Sequence, residues 1–379
     1  MRTVLVAHFN PRAVSGAEKA IVDMVGASET GWKFVMMTPG RGKLYEYYSM
    51  LGLDVWPRMV HTRRRKYPGL HTLQSFALAR QLKARKVDAV VCNTFAAASR
   101  VGLACRLARV PYAIYVREFF RPIPLHRRIL DRATQVFAVS GDVASYLSTM
   151  VTHNRLHVCH DYVNAAPLRE RAARHRERGE RRVPFTAAHR VVGIVGRITR
   201  YKQQDLFVRA IPTVLARHPD ARFVVVGSAQ ESEAGYEREL RALASNLGIA
   251  DMVAFMGDRQ DAVEIISELA ASCVTSLREP FPRVILEAQA VGCPVIAADT
   301  GGCPEMIKHQ VTGLLFSPAG SDAPQRLAES VIRVLDNPGF AADLAREAAV
   351  RLEADFGSAA PVRRFESLVN GLITPGVAI

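Results

Sequence analysis

Short, largely apolar runs separated by helix-length amphipathic stretches constrain this chain more than any other feature, and the pattern runs through it twice. In the first half the runs are Thr3–His8, Lys33–Thr38, Val87–Cys92, Tyr112–Val116 and Gln135–Ser140, with amphipathic stretches such as His71–Arg85 and Ala96–Ala108 between them. The second half begins again with Val191–Gly196, Arg222–Gly227, Met252–Phe255, Ala271–Ser276, Pro294–Ala297 and Gly313–Phe316, separated by stretches such as Gln203–Arg217 and Tyr236–Asn246. A strand that is apolar on both sides must be covered on both sides, which is the condition of a parallel sheet with crossover helices.

Two such units of similar size predict an α/β chain of two facing Rossmann-like domains with parallel sheets and a cleft between them. At 379 residues the chain is longer than one hydrophobic core usually grows, which agrees with two domains. The boundary falls in a composition break, Pro167 to Arg182, holding seven Arg and three Glu. It reads as a solvated linker or a surface helix. The predicted parts are therefore residues 1–166, a basic linker over 167–190, a second domain over 191–356, and a C-terminal helix over 357–379 that packs back on the first domain. The whole of Phe340–Ile373 reads as helical.

The formal charge of +14 predicts anionic partners: nucleotide sugars, nucleic acids or acidic lipid headgroups. The chain lacks the aromatic stacking platform or zinc spacing common in nucleic-acid binders, so no nucleic-acid partner is expected. No apolar run approaches the roughly 18–20 residues that span a bilayer. The opening Met1-Arg2-Thr3-Val4-Leu5-Val6-Ala7-His8 reads as a strand and not a leader peptide, so a cytoplasmic location is expected. The six cysteines are scattered without a CxxC pair and read as core thiols.

The densest chemistry lies in Arg278-Glu279-Pro280-Phe281-Pro282-Arg283-Val284-Ile285-Leu286-Glu287-Ala288-Gln289-Ala290-Val291-Gly292-Cys293-Pro294-Val295-Ile296-Ala297. A buried strand ends near Ser276 and a helix begins near Phe281, the junction at which open α/β sheets bind ligands. Free N–H groups in the first helical turn suit a diphosphate, and Pro282 is tolerated there because that turn needs no intrahelical donor.

This segment resembles retaining glycosyltransferase family 4 (GT4), whose motif sets two glutamates with seven residues between them on the GT-B fold. The resemblance implies that Glu279 contacts the donor sugar and Glu287 the nucleotide ribose. It makes the second domain the nucleotide-sugar-binding one and the first the acceptor side. Gly193-Ile194-Val195-Gly196-Arg197 through Lys202 is similar to the family's Arg-and-Lys segment, implying that Arg197 and Lys202 hold the diphosphate and stabilise the leaving group's charge. Phe223 to Ser228 resembles the donor domain's strand-plus-glycine turn, with Gly227 at the turn. Val253 to Gly257, with Met256, resembles its base-contacting loop. Thr300 to Glu305 and Thr312 to Leu315 complete the likeness. Phe281 and the N–H groups of Arg283 and Val284 complete the implied donor set, Pro282 replacing a glycine that would add one more donor.

The first domain matches less closely. Ser15-Gly16-Ala17-Glu18 is similar to the family's glycine-rich loop, implying that Gly16 allows close backbone approach to the donor phosphates; a plain helix start reads equally well. Where many members carry a histidine, this chain has Arg117-Glu118, implying altered sugar or acceptor contacts. Arg63-Arg64-Arg65-Lys66 and the basic, apolar-interleaved stretch 121–132 read either as solvated charge or as a surface for anionic lipid, placing the enzyme on the inner membrane face.

The resulting expectation is a hexosyltransferase that moves a sugar from a nucleotide diphosphate sugar to an acceptor hydroxyl, on a glycan or lipid-linked glycan, with retention. The setting is bacterial polysaccharide, lipopolysaccharide or glycolipid synthesis. A nucleotide-sugar epimerase or phosphorylase on the same plan is the alternative. No Asp-x-Asp occurs in the chain, so no cofactor and no metal are expected, with Arg197 and Lys202 acting where other enzymes use a divalent ion. Activity should therefore survive EDTA; complete loss with rescue by Mn²⁺ would refute this.

Overall fold

Thirteen strands among the described residues form two sheets in which every strand pair is parallel. The structure is a computed structural model and describes residues 1–9, 16–58 and 68–374. Ser15, the Arg63–Lys66 cluster and Tyr67 lie outside the described residues.

The first unit comprises Met1–Tyr162 and Ser358–Ile379. Its strands are β1 (Thr3–Ala7), β2 (Lys33–Thr38), β3 (Asp54–Pro57), β4 (Ala89–Cys92), β5 (Tyr112–Val116), β6 (Gln135–Ala138) and β7 (Leu156–Val158). Its helices are α1 (Gly16–Gly26), α2 (Lys43–Met50), α3 (Pro68–Ala84), α4 (Phe95–Ala108), α5 (Pro124–Arg132) and α6 (Gly141–Leu147). The second unit, Val163–Gly357, carries α7 (Ala165–Arg178), β8 (Arg190–Val195), α8 (Gln204–Arg217), β9 (Ala221–Val226), α9 (Ala234–Asn246), β10 (Val253–Gly257) and α10 (Ala262–Ser267). It continues through β11 (Ala271–Val274), α11 (Arg283–Ala290), β12 (Val295–Ala298), α12 (Cys303–Met306), β13 (Leu314–Phe316), α13 (Ala323–Asp336) and α14 (Pro338–Asp355). The last helix, α15 (Ala359–Ile373), belongs to the first unit.

The sheet orders are β3-β2-β1-β4-β5-β6-β7 and β10-β9-β8-β11-β12-β13. In each, the chain winds outward in one direction, returns, and winds outward in the other. The reversal separates β1 from β4, paired as Val4↔Ala89 and Val6↔Val91, and β8 from β11, paired as Val192↔Ala271 and Ile194↔Cys273. Strands β4, β5 and β6 are buried at every position, as expected of strands covered by helices on both faces. Each fully buried Val, Leu, Ile or Phe in such a core contributes about 1.5–3 kcal/mol. All six cysteines are free and buried.

Local chemistry sets the boundaries. Thr94 caps α4 by accepting from Ala97 N–H, and Ser140 caps α6 by accepting from Val143 N–H. The helical stretch expected over Phe340–Ile373 is two helices, because the chain turns at Phe356-Gly357 and Ser358 caps α15 by accepting from Ala360 N–H. Helix α15 then buries Val362, Phe365, Leu368, Val369 and Leu372 and packs on α1, β4 and β5. Glu366 accepts from Ser28 at 2.6 Å, and Asn370 accepts from Arg2 at 2.6 Å.

The expected basic linker is also largely helix. α7 lies against α10 and α11, and its cations are fastened down. Arg171 forks onto Glu264 at 3.0 and 2.7 Å, His175 Nε2 lies 2.8 Å from Glu268, and Arg176 donates to the carbonyl of Val291 at 2.7 Å. The run reads as solvated charge because its carboxylate partners lie some 90 residues onward, beyond any local pattern.

Candidate active site

The reversal between β8 and β11 fixes the position of the site. Loops leaving the ends of these neighbouring strands run in opposite directions along the sheet and leave an opening at its C-terminal edge. After β8 the chain passes through Gly196 and Arg197, makes a tight turn at Arg200–Lys202, and enters α8 through Gln203 with φ of 49°. After β11 it runs from Thr275 to Pro282 before α11 begins.

These two loops are tied to each other. Thr275 Oγ1 bridges the carbonyls of Lys202 and Gln203 at 2.7 and 2.9 Å. Leu277 N–H donates to the carbonyl of Tyr201 at 2.8 Å, and Gln204 Nε2 to that of Arg197 at 3.0 Å. So held, the Lys202 ammonium reaches both oxygens of Glu279, at 3.2 and 3.3 Å. The two side chains are only 16% and 12% exposed. Burial pulls the Lys202 pKa down, but attraction to Glu279 and Tyr201 outweighs it and leaves the value above that of a free lysine. Lys202 is thus a fixed cation at neutral pH, with a carboxylate beside it.

Glycines give the backbone room to come this close. Gly227, φ 130°, lies so near Gly196 that any side chain would overlap the Gly196 carbonyl. Gly301, φ 62°, is packed in the same way against the carbonyl of Glu279, while Gly302 N–H donates to that carbonyl at 2.8 Å. Glu279 is therefore held through its backbone by the 300–302 turn and through its side chain by Lys202. Met256 sits where the β10–β9 register shifts between Phe255 and Gly257, a bulge that re-aims a side chain at the strand end.

Helix α11 begins at Arg283 after Pro282, and its first N–H groups have no intrahelical acceptor. Glu287 lies one turn on, 3.9 Å from Arg283, which is a charge contact and too long for a hydrogen bond. Val284 is half-buried, and Phe281 is buried with its ring 5.6 Å from that of Phe356. Arg197 is exposed. Thr199 Oγ1, Gln203 Oε1 and Gln204 Oε1 are buried without a hydrogen-bond partner in the chain. Among the described residues no group of three or more His, Cys, Asp or Glu is placed to hold a metal ion.

Comparison with known proteins settles what kind of chain this is. The family profile described as Glycosyltransferase Family 4 matches residues 14–166, and that described as Glycosyl transferases group 1 matches residues 176–351. The chain belongs to glycosyltransferase family 4. Its relatives include the D-inositol 3-phosphate glycosyltransferase of Acidothermus cellulolyticus, 38% identical over 179 residues, 45% of this chain and 39% of that one. A GDP-mannose-dependent mannosyltransferase of Corynebacterium glutamicum, acting on a monoacylated phosphatidylinositol monomannoside, is 33% identical over 186 residues, 46% of each chain. These alignments span less than half the length of either relative. Among solved structures, HepE of Anabaena in complex with UDP and glucose superposes with a TM-score of 0.82 at 21% identity, covering 98% of this chain and all of that one. Sucrose-phosphate synthase of Thermosynechococcus elongatus gives 0.77 at 18% identity, covering 98% and 99%. The fold is GT-B.

In this family 4 chain the first unit holds Gly16, Arg117 and Glu118. Gly16 is the first residue of α1. Glu118 is exposed, whereas Arg117 is committed inside the unit. It pairs with Asp161, donates through Nε to Asn93 Oδ1 at 3.1 Å, and stacks 3.8 Å over the Tyr115 ring. Asn93 Nδ2 in turn faces His8 Nδ1 at 3.0 Å, which leaves the His8 proton on Nε2, 2.8 Å from Glu18. This buried chain of groups lies at the ends of β1, β4, β5 and β7. His8, Asn93 and Arg117 each follow an apolar strand directly, a signal present in the sequence; Asp161 follows a strand too short to show.

Sequence reading named Lys202 and Glu279 but not the groups that hold them: Tyr201, Thr275, Gln204 and Gly301. Gly301→Ala should cost about 1–2 kcal/mol for the left-handed backbone alone, more for the overlap with Glu279. Urea denaturation should show that loss together with lowered activity, and a variant with wild-type stability would refute the clamp.

Proposed function

We propose that this protein transfers a hexosyl unit from a nucleotide diphosphate sugar to an acceptor hydroxyl with retention of configuration. The observation that carries the reading is the buried Lys202–Glu279 pair beside the start of α11, at the reversal of the second sheet. Lys202 and Arg197 supply positive charge for the diphosphate, and the N–H groups of the first turn of α11 supply donors. Glu279 accepts hydrogen bonds from sugar hydroxyls, and Glu287 from ribose. HepE binding UDP and glucose, and the mannosyltransferase using GDP-mannose, support a nucleotide sugar as donor.

In the proposed step the bond between the anomeric carbon and the diphosphate oxygen breaks, and the acceptor oxygen bonds to that carbon on the same face. The hydroxyl proton passes to the departing phosphate oxygen. Lys202 and Arg197 lower the barrier because they are already in place when charge builds on the leaving group. Lys202→Ala should lower kcat/KM by about 1.5–3 kcal/mol, or roughly 10- to 150-fold. Glu279→Ala should lower kcat, while Glu287→Ala should mainly raise the donor KM, since ribose is remote from the reacting carbon. Nucleoside diphosphate release should require acceptor. Wild-type kinetics in all three variants would overturn the reading.

A lipid-linked acceptor at an anionic membrane surface is part of the proposal, and two exposed groups support it. Helix α3 exposes Leu73 and Phe76 at 68% and 53%, followed on the same side by Arg80 and Lys83. Within 121–132, Arg121, Arg127, Arg128 and Arg132 are exposed with Ile123 and Leu125, while Ile129 and Leu130 belong to the core. No described helix is long and apolar enough to cross a membrane. Each cation near such a surface contributes about 1 kcal/mol, so Arg127→Ser with Arg128→Ser should weaken binding to phosphatidylglycerol vesicles roughly 30-fold. Equal sedimentation of wild type and variant would favour an acceptor in solution.

A further inference from the structure

The edge of the first sheet opposite Asn93 and Arg117 carries a feature that glycosyl transfer does not use. An open hollow of about 390 Å³ lies there, beside Tyr112 at the start of β5. Arg106, Arg109 and Arg132 line it, from the last turn of α4, the residue that ends α4, and the last residue of α5. Among the described residues none of these three guanidinium groups has a carboxylate or hydrogen-bond partner. Their mutual repulsion is left standing. Arg106 and Arg132 line the same hollow as Tyr112.

The ordinary reason for arginine at a helix C-terminus is to neutralise the free carbonyls, and here that task is already done. Arg155 donates to the carbonyls of Asp131 and Ala133 at 3.1 and 3.0 Å, closing α5. The backbone N–H groups of Arg109 and Val110 close α4 on the carbonyls of Arg106 and Cys105. With both helix ends closed, at most about one unit of negative charge offsets the three cations, which leaves a surplus of at least about two positive charges. Arg109 also occupies the left-handed region at φ 58°, where glycine or asparagine is usual. Most of the remaining wall is apolar, from Val110, Pro111, Leu372 and Ile373, with Thr134 adding a hydroxyl.

We propose that this hollow is a second anion-binding site, which takes a phosphate monoester attached to a small apolar body. A surplus of about two positive charges matches a dianionic phosphate, whose oxygens accept forked hydrogen bonds from guanidinium groups. The apolar wall accommodates what the phosphate is esterified to. The phosphate comes either from solution or from a lipid headgroup. The site uses no residue of the second sheet and shares only Arg132 with the exposed cations of 121–132.

The test is calorimetric titration of the full chain with inorganic phosphate and with dihexanoyl phosphatidic acid kept below micelle formation. Two variants are compared with wild type: Arg106→Ser with Arg132→Ser, and Arg109→Gly. The glycine variant removes one cation while relieving the left-handed backbone, so its fold is not at risk. Both variants should bind phosphate and phosphatidic acid at least about tenfold more weakly, and Lys202→Ala should bind them as wild type does. At least tenfold tighter binding of phosphatidic acid identifies a lipid source; equal affinity identifies a phosphate in solution. Unchanged affinity in both arginine variants, or loss confined to Lys202→Ala, would overturn the proposal and assign the anion to the second sheet.

Discussion

A parallel strand cannot be followed by a hairpin; its chain must cross over a face of the sheet before the next strand begins. That requirement brings every strand end, and the loop after it, to one edge of each sheet. Where the winding reverses, the loops part and a polar group at a strand end meets no covering helix. Lys202 and Glu279 occupy such a place, and so does the group formed by His8, Asn93 and Arg117. These two polar groups are therefore placed by the course of the backbone, and the individual loops supply only the final adjustment.

Buried charge is costly unless it is paired and hydrogen-bonded, and both units meet that cost in the same way. In the second, the carboxylate of Glu279 sits against the ammonium of Lys202, and its carbonyl is held by Gly302. In the first, Arg117 is shared between Asp161, Asn93 and the ring of Tyr115. Neither group is fully satisfied within the chain. Arg117 keeps one buried guanidinium nitrogen without a hydrogen-bond partner, and the loop around Lys202 keeps buried oxygens on Thr199, Gln203 and Gln204 in the same state.

Eleven of the thirteen strands were legible because their apolar runs are bounded by polar turns. The two that were not, β3 and β7, lie at opposite edges of the first sheet. Asp54-Val55-Trp56-Pro57 begins with a charge and ends with a proline, and Leu156-His157-Val158 is three residues long, both tolerable where only one neighbour pairs. The motif gave the identities of Lys202 and Glu279, but their contact at 3.2 Å depends on the β8–β11 pairing, which no local pattern encodes. Arg117 shows the same limit: its partner Asp161 is 44 residues away and follows one of the strands that could not be read. Sequence spacing is informative within an element and its cap; between elements, only the sheet order decides.

The position of α15 has a consequence for how the protein is made. The first unit consists of residues up to Tyr162 and a final helix that begins at Ala359, and that helix supplies Phe365 and Leu368 to its core. On the ribosome, therefore, the unit synthesised first is completed last. At about 5–20 residues per second, some 10–40 s separate Tyr162 from the end of α15. Through that interval the apolar surface of β4 and β5 that α15 covers stays open on the nascent chain, while the second unit, whose residues are contiguous, can finish folding in the meantime.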